Sequence, residues 1–168
     1  AEILCVGTEI LLGNITNTNA TFLSQELSLL GFNVFHHTVV GDNPERLAQA
    51  VDTALSRCDL LITTGGLGPT YDDLTKQTVA RALGLEMELH EDILADLRAR
   101  WESRGKVMTK NNEQQAWFPK GCTIIPNDWG TAPSCAIEKD GHTVIMLPGP
   151  PREMKPMFDS LVLPYLMK

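Results

Sequence analysis

Apolar segments that run into glycine alternate with amphipathic stretches along the first half of the chain, and this alternation limits the possible folds most strongly. The runs "EILCV" and "DLLITT" lead directly into Gly7 and Gly65. The stretches "TNATFLSQELSLLG" and "NPERLAQAVDTALSRC", which lie between them, carry apolar residues at helical spacing. Asn43 and Pro44 suit the first positions of the second helix. Strand–helix–strand order predicts a parallel sheet covered by helices, with right-handed crossovers.

The second half of the chain adds a helix, a hairpin and a C-terminal helix. "HEDILADLRARWESRG" has helical spacing, and "APSCAIEKDGHTVIML" reads as two strands that turn at Asp140 and Gly141. Residues 151–166 are predicted to be mostly helical, and a helix over "DDLTKQTVARALG" is expected to start at Asp72. We find no linker or internal repeat. The expected fold is therefore α/β, a three-layer α/β/α arrangement in a single domain over residues 1–168.

Composition argues against two classes of partner. The formal net charge is -7 and no basic run is present, so the chain is a poor candidate for binding nucleic acid. No apolar run approaches membrane-spanning length, and the chain opens on a strand-like segment rather than a leader, so we expect a cytoplasmic protein with no membrane partner.

The four cysteines lack metal-binding spacing and are expected to be reduced, buried thiols.

Three glycine-containing loops follow predicted strands, at residues 7–13, 63–73 and 147–151. In open α/β sheets the ligand lies beyond the carboxyl ends of the strands, where these loops meet. Glycine allows close approach to the backbone, and free N–H groups at a helix start bind phosphate without basic side chains. One such loop would read as a simple connector, and "GGLG" matches neither a Walker motif nor a dinucleotide fingerprint. Three loops at one edge favour a ligand site.

Two adjacent carboxylates, Asp72 and Asp73, end the middle loop. A role at the helix start explains one of them. Two carboxylates beside a bound phosphate would repel it, and a divalent cation such as Mg²⁺ would relieve that repulsion. Glu9 is a candidate third oxygen ligand. Lys76 is expected to be a surface partner of Asp72 or, less favoured, a phosphate contact.

Other polar segments have both a structural and a functional interpretation. "NITNTN" contains more asparagines than helix capping requires, which leaves Asn17 and Asn19 as candidate ligand contacts. Trp129, in "NDWGTAP", could stack on a base or cover the core. His36 and His37 are adjacent in a predicted strand, so they point to opposite faces and are read as structural.

Several motifs together resemble the amino-terminal domain of the competence/damage-inducible protein A (CinA) family. They are "VGTEILLGNITNTNATFLSQEL", "TVVGDNPERL", "TTGGLGPTYDDLTKQTVA", "NNEQQAWFP", "GTAP" and "LPGPPREMKPMF". The resemblance implies a molybdopterin-binding fold of the MogA/MoaB type with a mostly parallel central sheet, and a homo-oligomer, dimer or trimer. It also implies hydrolysis of ADP-ribose to AMP and ribose 5-phosphate, dependent on Mg²⁺, Mn²⁺ or Co²⁺. The family's carboxyl-terminal deamidase domain is expected to be absent from residues 1–168.

The molybdopterin-binding relatives keep a threonine where this chain has Leu67, which favours the CinA branch. The resulting hypothesis is that the phosphates are held by Gly65, Gly66 and Gly68. The metal would be bound, and catalysis performed, by Asp72, Asp73 and Glu9. The remaining predicted substrate contacts are Gly7, Thr8, Asn17, Asn19, Thr131, Pro148, Gly149 and Pro150. Two alternatives stay open: a pterin-binding protein related to molybdenum-cofactor assembly, and a non-catalytic nucleotide-binding module.

Overall fold

A computed structural model that describes residues 1–168 shows a six-stranded sheet with helices on both faces. The sheet strands are β1 (Glu2–Val6), β2 (His36–Val40), β3 (Leu60–Thr64), β6 (Thr123–Ile125), β7 (Ser134–Lys139) and β8 (His142–Leu147), and β4 (Met87–Leu89) and β5 (Trp117–Pro119) form a separate antiparallel pair. The helices are α1 (Thr8–Leu11), α2 (Thr18–Leu29), α3 (Pro44–Leu55), α4 (Thr75–Ala82), α5 (Glu91–Glu102), α6 (Pro151–Met157) and α7 (Leu163–Leu166). A 3₁₀ helix covers Lys110–Ala116, and a π-helical turn, Phe158–Val162, joins α6 to α7.

The strand order of the main sheet is β2-β1-β3-β8-β7-β6. The first four strands are parallel, whereas β7 and β6 are antiparallel to their neighbours. The mostly parallel α/β prediction is therefore confirmed. The strand order changes direction between β1 and β3, which is where such sheets place their ligands.

Each face of the sheet buries its own apolar core. On β1, Leu4 and Val6 pack with α3 and α4, while Ile3 and Cys5 pack with α2 and α6. Because successive strand residues point to opposite faces, a strand buried on both sides is mostly apolar. This explains the unbroken apolar run from Ile3 to Val6, and it fixes the three layers.

Local sequence signals account for the starts of two helices and for the turn of the hairpin. Asn43 Oδ1 accepts a hydrogen bond of 3.0 Å from Arg46 N, and the Asn17 side chain caps α2 in the same way. The hairpin turns at Asp140 and Gly141, whose φ angles of 51° and 82° match the predicted tight turn. The start predicted for α4 was wrong: the helix begins at Thr75, after both carboxylates.

Cys5, Cys58 and Cys135 are buried, as predicted, whereas Cys122 is half-buried, and none of the four forms a disulfide. None of the helices is long and apolar enough to cross a membrane.

A buried ion pair fixes the start of β1 to the end of α3. Glu2 is 0% exposed, and its two carboxylate oxygens each accept a hydrogen bond of 2.8 Å from Arg57. Thr38 Oγ1, on β2, donates a third hydrogen bond of 2.7 Å. Burial raises the pKa of Glu2, but the Arg57 and Thr38 hydrogen bonds and the Arg57 charge outweigh it, so the pKa lies below its usual value.

We expect Glu2→Gln to lower the free energy of unfolding at pH 7 by about 1–3 kcal/mol, because it leaves Arg57 without its carboxylate. A folded-state pKa below the unfolded one stabilises the protein above about pH 4.3 and loses that effect as the pH falls through the folded value. The difference between wild type and Glu2→Gln should therefore shrink in acid. Urea unfolding at several pH values measures it, with the exposed Glu102→Gln as control. A difference that stays constant down to about pH 2 would contradict this linkage.

Candidate functional site

A cavity of ≈ 370 Å³ opens at the carboxyl edge of β1, β3 and β8. The three glycine loops predicted to meet there all contribute to its wall: Gly7 and Glu9 after β1, residues 65–70 after β3, and residues 148–150 after β8. A fourth wall comes from Thr131 and Ala132, which precede β7. Because β7 is antiparallel to β8, the segment before it reaches the same edge of the sheet.

The glycine loop after β3 packs too closely for side chains. Gly65 and Gly66 have φ angles of 95° and 69°, which L-residues rarely adopt. A Cβ on Gly65 would collide with the Val6 carbonyl, and one on Gly66 would collide with the Thr75 hydroxyl. Thr75 Oγ1 in turn donates to the Gly65 carbonyl at 3.0 Å. The loop is thus fixed against both β1 and the first residue of α4.

Some N–H groups of the loop donate hydrogen bonds within the protein, and others have no acceptor there. Gly65 N donates to the Leu147 carbonyl at 3.0 Å and extends the sheet, so it is not available for the phosphate contact predicted for it. The N–H groups of Gly66 and Gly68 donate to no protein acceptor. Backbone donors at such a turn are suited to an anion.

The two carboxylates of the loop have different surroundings. Asp73 Oδ2 accepts hydrogen bonds from Thr70 N at 2.9 Å and Thr70 Oγ1 at 2.5 Å, so this oxygen holds the loop closed. Asp72 is half-buried and has neither a hydrogen-bond partner nor an ion-pair partner. Leu74 is the N-cap residue of α4, so the helix-start role expected for Asp72 is not observed.

Five carboxylates line the cavity: Glu9, Asp42, Asp72, Asp73 and Glu153. No lysine, arginine or histidine lines it. Asp42 Oδ2 accepts from Thr8 N at 3.1 Å, and Glu153 accepts from the Asn127 amide at 2.9 Å. No three carboxylate, histidine or cysteine side chains converge as a preformed metal site anywhere in the chain. The metal role of Glu9, Asp72 and Asp73 therefore stays a prediction.

Lys76 does not take either role expected for it. It is 3% exposed, and its Nζ donates to the carbonyls of Gln114 at 3.3 Å and Gln115 at 3.1 Å. The ammonium also lies 4.0 Å from the centre of the Phe118 ring. Burial lowers the pKa of Lys76 to about 8, since desolvation disfavours the charged form. Lys76 therefore anchors the 3₁₀ helix beneath the site.

The 3₁₀ helix reaches the glycine loop through two adjacent glutamines. Gln114 Nε2 donates to the carbonyls of Gly68 at 2.7 Å and Thr70 at 2.6 Å, which holds the outer half of the loop. Gln115 lines the cavity and is 1% exposed. Neither its Oε1 nor its Nε2 has a partner.

The other predicted contacts separate into lining and supporting residues. Gly7, Thr131, Pro148, Gly149 and Pro150 line the cavity as expected. Asn17 and Asn19 line a smaller neighbouring cavity of ≈ 40 Å³. Thr8 lines neither of these cavities.

The two asparagines also support the loops around them. Asn17 caps α2, and Asn19 Nδ2 donates to the Gly149 carbonyl at 2.7 Å, which positions the loop after β8. Trp129 does not line the main cavity.

Sequence reasoning missed Asp42, Gln115 and Glu153 as wall residues. The sequence signal for Asp42 and Glu153 was their place directly after β2 and after the loop that follows β8. Gln115 lies in the segment "NNEQQAWFP", which contributed to the family resemblance, but no glycine loop after a predicted strand marked that segment as a wall.

Comparison with known proteins identifies related chains. The family described as "Probable molybdopterin binding domain" matches residues 2–168. A competence-damage inducible protein of Acetivibrio thermocellus is 55% identical over 166 residues, which are 99% of this chain and 40% of that protein. The corresponding protein of Clostridium botulinum strain Loch Maree is 54% identical over 168 residues, 100% of this chain and 41% of its own length. The chain thus spans about two fifths of these curated relatives.

Solved structures show the same relationship. The CinA protein of Thermoplasma acidophilum has a TM-score of 0.88 and 35% identity, with coverage of 96% of this chain and 95% of that one. MoaB of Thermus thermophilus has a TM-score of 0.61 and 18% identity, covering 98% of this chain and 94% of that one. At that identity MoaB establishes the shared fold alone, which confirms the expected MogA/MoaB-like architecture.

We expect Gly65→Ala to destabilise the protein by several kcal/mol, because it adds a collision with the Val6 carbonyl to the strain of a positive φ. Gly13→Ala is the matched control: its φ is also positive, at 72°, but its Cβ would meet nothing within 4 Å. Gly13→Ala should cost only about 1 kcal/mol. Chemical unfolding of both variants measures the difference, and equal losses would contradict the close packing of Gly65.

Lys76 should make stability rise with pH in the alkaline range. Its folded-state pKa of about 8 lies below that of an unfolded lysine, about 10.4, so the unfolded chain binds more protons between these values. The free energy of unfolding of wild type, relative to Lys76→Met, should therefore increase from about pH 8 to about pH 10.4. Lys139→Met, which removes a half-exposed lysine bonded to the Leu83 carbonyl, is the control. A flat difference would show that the Lys76 charge is not destabilised by burial.

Proposed function

The chain belongs to the CinA family and carries its molybdopterin-binding-like domain, and we propose that its cavity binds a phosphorylated heterocyclic ligand together with a divalent cation. One observation carries the proposal: free backbone N–H groups and five carboxylates line the same cavity, which contains no basic side chain. The N–H groups of Gly66 and Gly68 suit phosphate oxygens. The carboxylates would repel a bare phosphate, so a cation must accompany it.

The residues present fit a divalent cation of the magnesium type. Such cations are usually held by one or two carboxylates plus ligand phosphates and water, rather than by a complete protein cage. Asp72 has no partner in the protein, and Glu9 is exposed at the cavity mouth with its carboxylate folded over Gly7. We assign the cation to Asp72 and Glu9. Asp73 has one oxygen committed to Thr70, which leaves its other oxygen as an auxiliary ligand.

A molybdopterin-type ligand is the first candidate. The family description names molybdopterin binding, and the MoaB fold neighbour is a molybdopterin biosynthesis enzyme. A pterin phosphate would present its phosphate to the glycine loop and its ring to the cavity wall. In this reading the domain binds and orients its ligand without cleaving it.

Hydrolysis of the pyrophosphate bond of ADP-ribose is the second candidate, favoured by the acidic lining. A bound cation would offset the negative charge of the pyrophosphate and lower the pKa of a bound water. The chain's own contribution would be to hold the phosphates through the Gly66 and Gly68 N–H groups and to orient them between the loops after β1 and β3. Leu67, 3% exposed, packs in the core below the loop, so its side chain offers no hydroxyl to a ligand.

One experiment separates the two candidates. The protein is incubated with ADP-ribose and Mg²⁺, Mn²⁺ or Co²⁺, and AMP is measured. Binding of a pterin phosphate is measured in parallel by calorimetry with the same cations. AMP formation supports the hydrolase, whereas binding of the pterin without AMP formation supports the binding protein. Failure of both ligands to bind with any cation would overturn the proposal itself.

We expect Asp72→Asn to weaken cation-dependent ligand binding by about 10-fold or more, since a neutral amide holds a divalent cation less well than a carboxylate. Its fold should be unchanged, because Asp72 has no partner to lose. Asp73→Asn is a poorer test, because it also disturbs the Thr70 hydrogen bonds. Asp52→Asn, an exposed carboxylate on α3, is the matched control. Calorimetric titration of Mn²⁺ with inorganic pyrophosphate measures the change, and equal affinity in wild type and Asp72→Asn would remove Asp72 from the cation site.

A further inference from the structure

The side-chain amide of Gln115 is a buried polar group without any partner at the wall of the cavity. The residue is 1% exposed, and neither its donor nor its acceptor atom forms a hydrogen bond. Leaving buried polar atoms unsatisfied destabilises a fold, so native proteins rarely keep them without a reason.

The surrounding segment shows that this deficit is specific to Gln115. Its neighbour Gln114 donates two hydrogen bonds to the glycine loop, and Asn112 accepts hydrogen bonds from Thr109 N and Oγ1. The backbone carbonyl of Gln115 is itself bonded to Lys76. Hydrogen bonds therefore hold the segment in place through Gln114, Asn112 and the Gln115 carbonyl, while the Gln115 side-chain amide at the cavity has no hydrogen-bond partner.

We propose that Gln115 is the specificity-determining residue that recognises the heterocycle of the ligand. A primary amide places a donor and an acceptor side by side, and it complements a ring edge that offers one acceptor beside one donor. Adenine offers such an edge in its N7 and N6–H₂ groups, for which glutamine is a common bidentate partner. A pterin offers another in its ring N–H and the adjacent carbonyl oxygen.

The position of Gln115 suits this role. Gln114 contacts Gly68 directly, so its neighbour lies beside the phosphate-binding loop and in the same cavity. A ligand whose phosphate meets Gly66 and Gly68 would thus present its ring to a wall in which Gln115 is the only side-chain amide. The inference rests on the proposed function, because it needs a phosphate-bearing ligand in this cavity.

The test uses Gln115→Met, which keeps the length of the side chain and removes both polar atoms. Gln77→Met is the matched control, because Gln77 Oε1 is also buried without a partner but the residue lines none of the cavities described above. The probes, each with Mn²⁺, are inorganic pyrophosphate, ADP, N6,N6-dimethyl-ADP and 6-hydroxymethylpterin diphosphate. Affinities are measured by calorimetry and the folded state by thermal unfolding.

We expect Gln115→Met to melt at or above the temperature of wild type, because it removes two unpartnered buried atoms, and to keep the pyrophosphate affinity of wild type. It should lose about 10-fold or more in affinity for the heterocycle that the site takes. If that heterocycle is adenine, dimethylation of N6 should weaken binding to wild type and not to Gln115→Met. If it is a pterin, only the pterin affinity should fall. Gln77→Met should match wild type in its affinity for all four probes.

Equal heterocycle affinities in wild type and Gln115→Met would overturn the assignment while leaving the proposed function intact. A parallel loss of pyrophosphate affinity would also overturn it, because that result indicates a general disturbance of the loop. Failure of wild type to bind pyrophosphate with Mn²⁺ would instead overturn the proposed function, and this inference with it.

Discussion

The close contact between Gly65 and the Val6 carbonyl is the constraint on which the rest of the site depends. It brings the carboxyl ends of strands β1 and β3 together at the position where the strand order reverses. A side chain at this point would separate the two loops and open the cavity. Because the Gly65 N–H is bonded to the Leu147 carbonyl, the same residue also ties the loop after β3 to the end of β8. One glycine thus aligns the three walls of the cavity.

Electrostatics gives this cavity an unusual character for the phosphate site that we propose. The groups in it that suit anions are a few backbone N–H groups, whereas the ionisable side chains that line it are all acidic. Lys76 is the basic residue that lies nearest in sequence to the glycine loop. Its ammonium is buried, where it contacts two backbone carbonyls and the Phe118 ring. Its ammonium therefore donates hydrogen bonds to the support of the site rather than to the ligand. Affinity for phosphate should accordingly depend on the cation supplied, and very little on long-range attraction by the protein.

Sequence patterns predicted the sheet and the place of the site because both depend on local rules. Apolar runs buried on both faces, helix caps and the Asp140 turn are visible in short windows. The burial of Lys76 was not predictable in this way, because it depends on carbonyls 38 and 39 residues away. The unpartnered amide of Gln115 was not predictable either, because only the folded structure shows that no group contacts it. The short β4–β5 pair escaped notice because each strand has only three residues.

The reversal of strand direction at β7 has a consequence for how this architecture can change. The walls after β1, β3 and β8 are loops that lead from a strand into a helix, so the length of each is constrained at both ends. The wall at Thr131 and Ala132 instead belongs to the link between two antiparallel strands, β6 and β7, which pair with each other independently of it. Insertions or deletions there would leave the register of the sheet unchanged. The depth of the cavity is therefore adjustable along this one side, which offers a route by which relatives with the same core could accommodate ligands of different size.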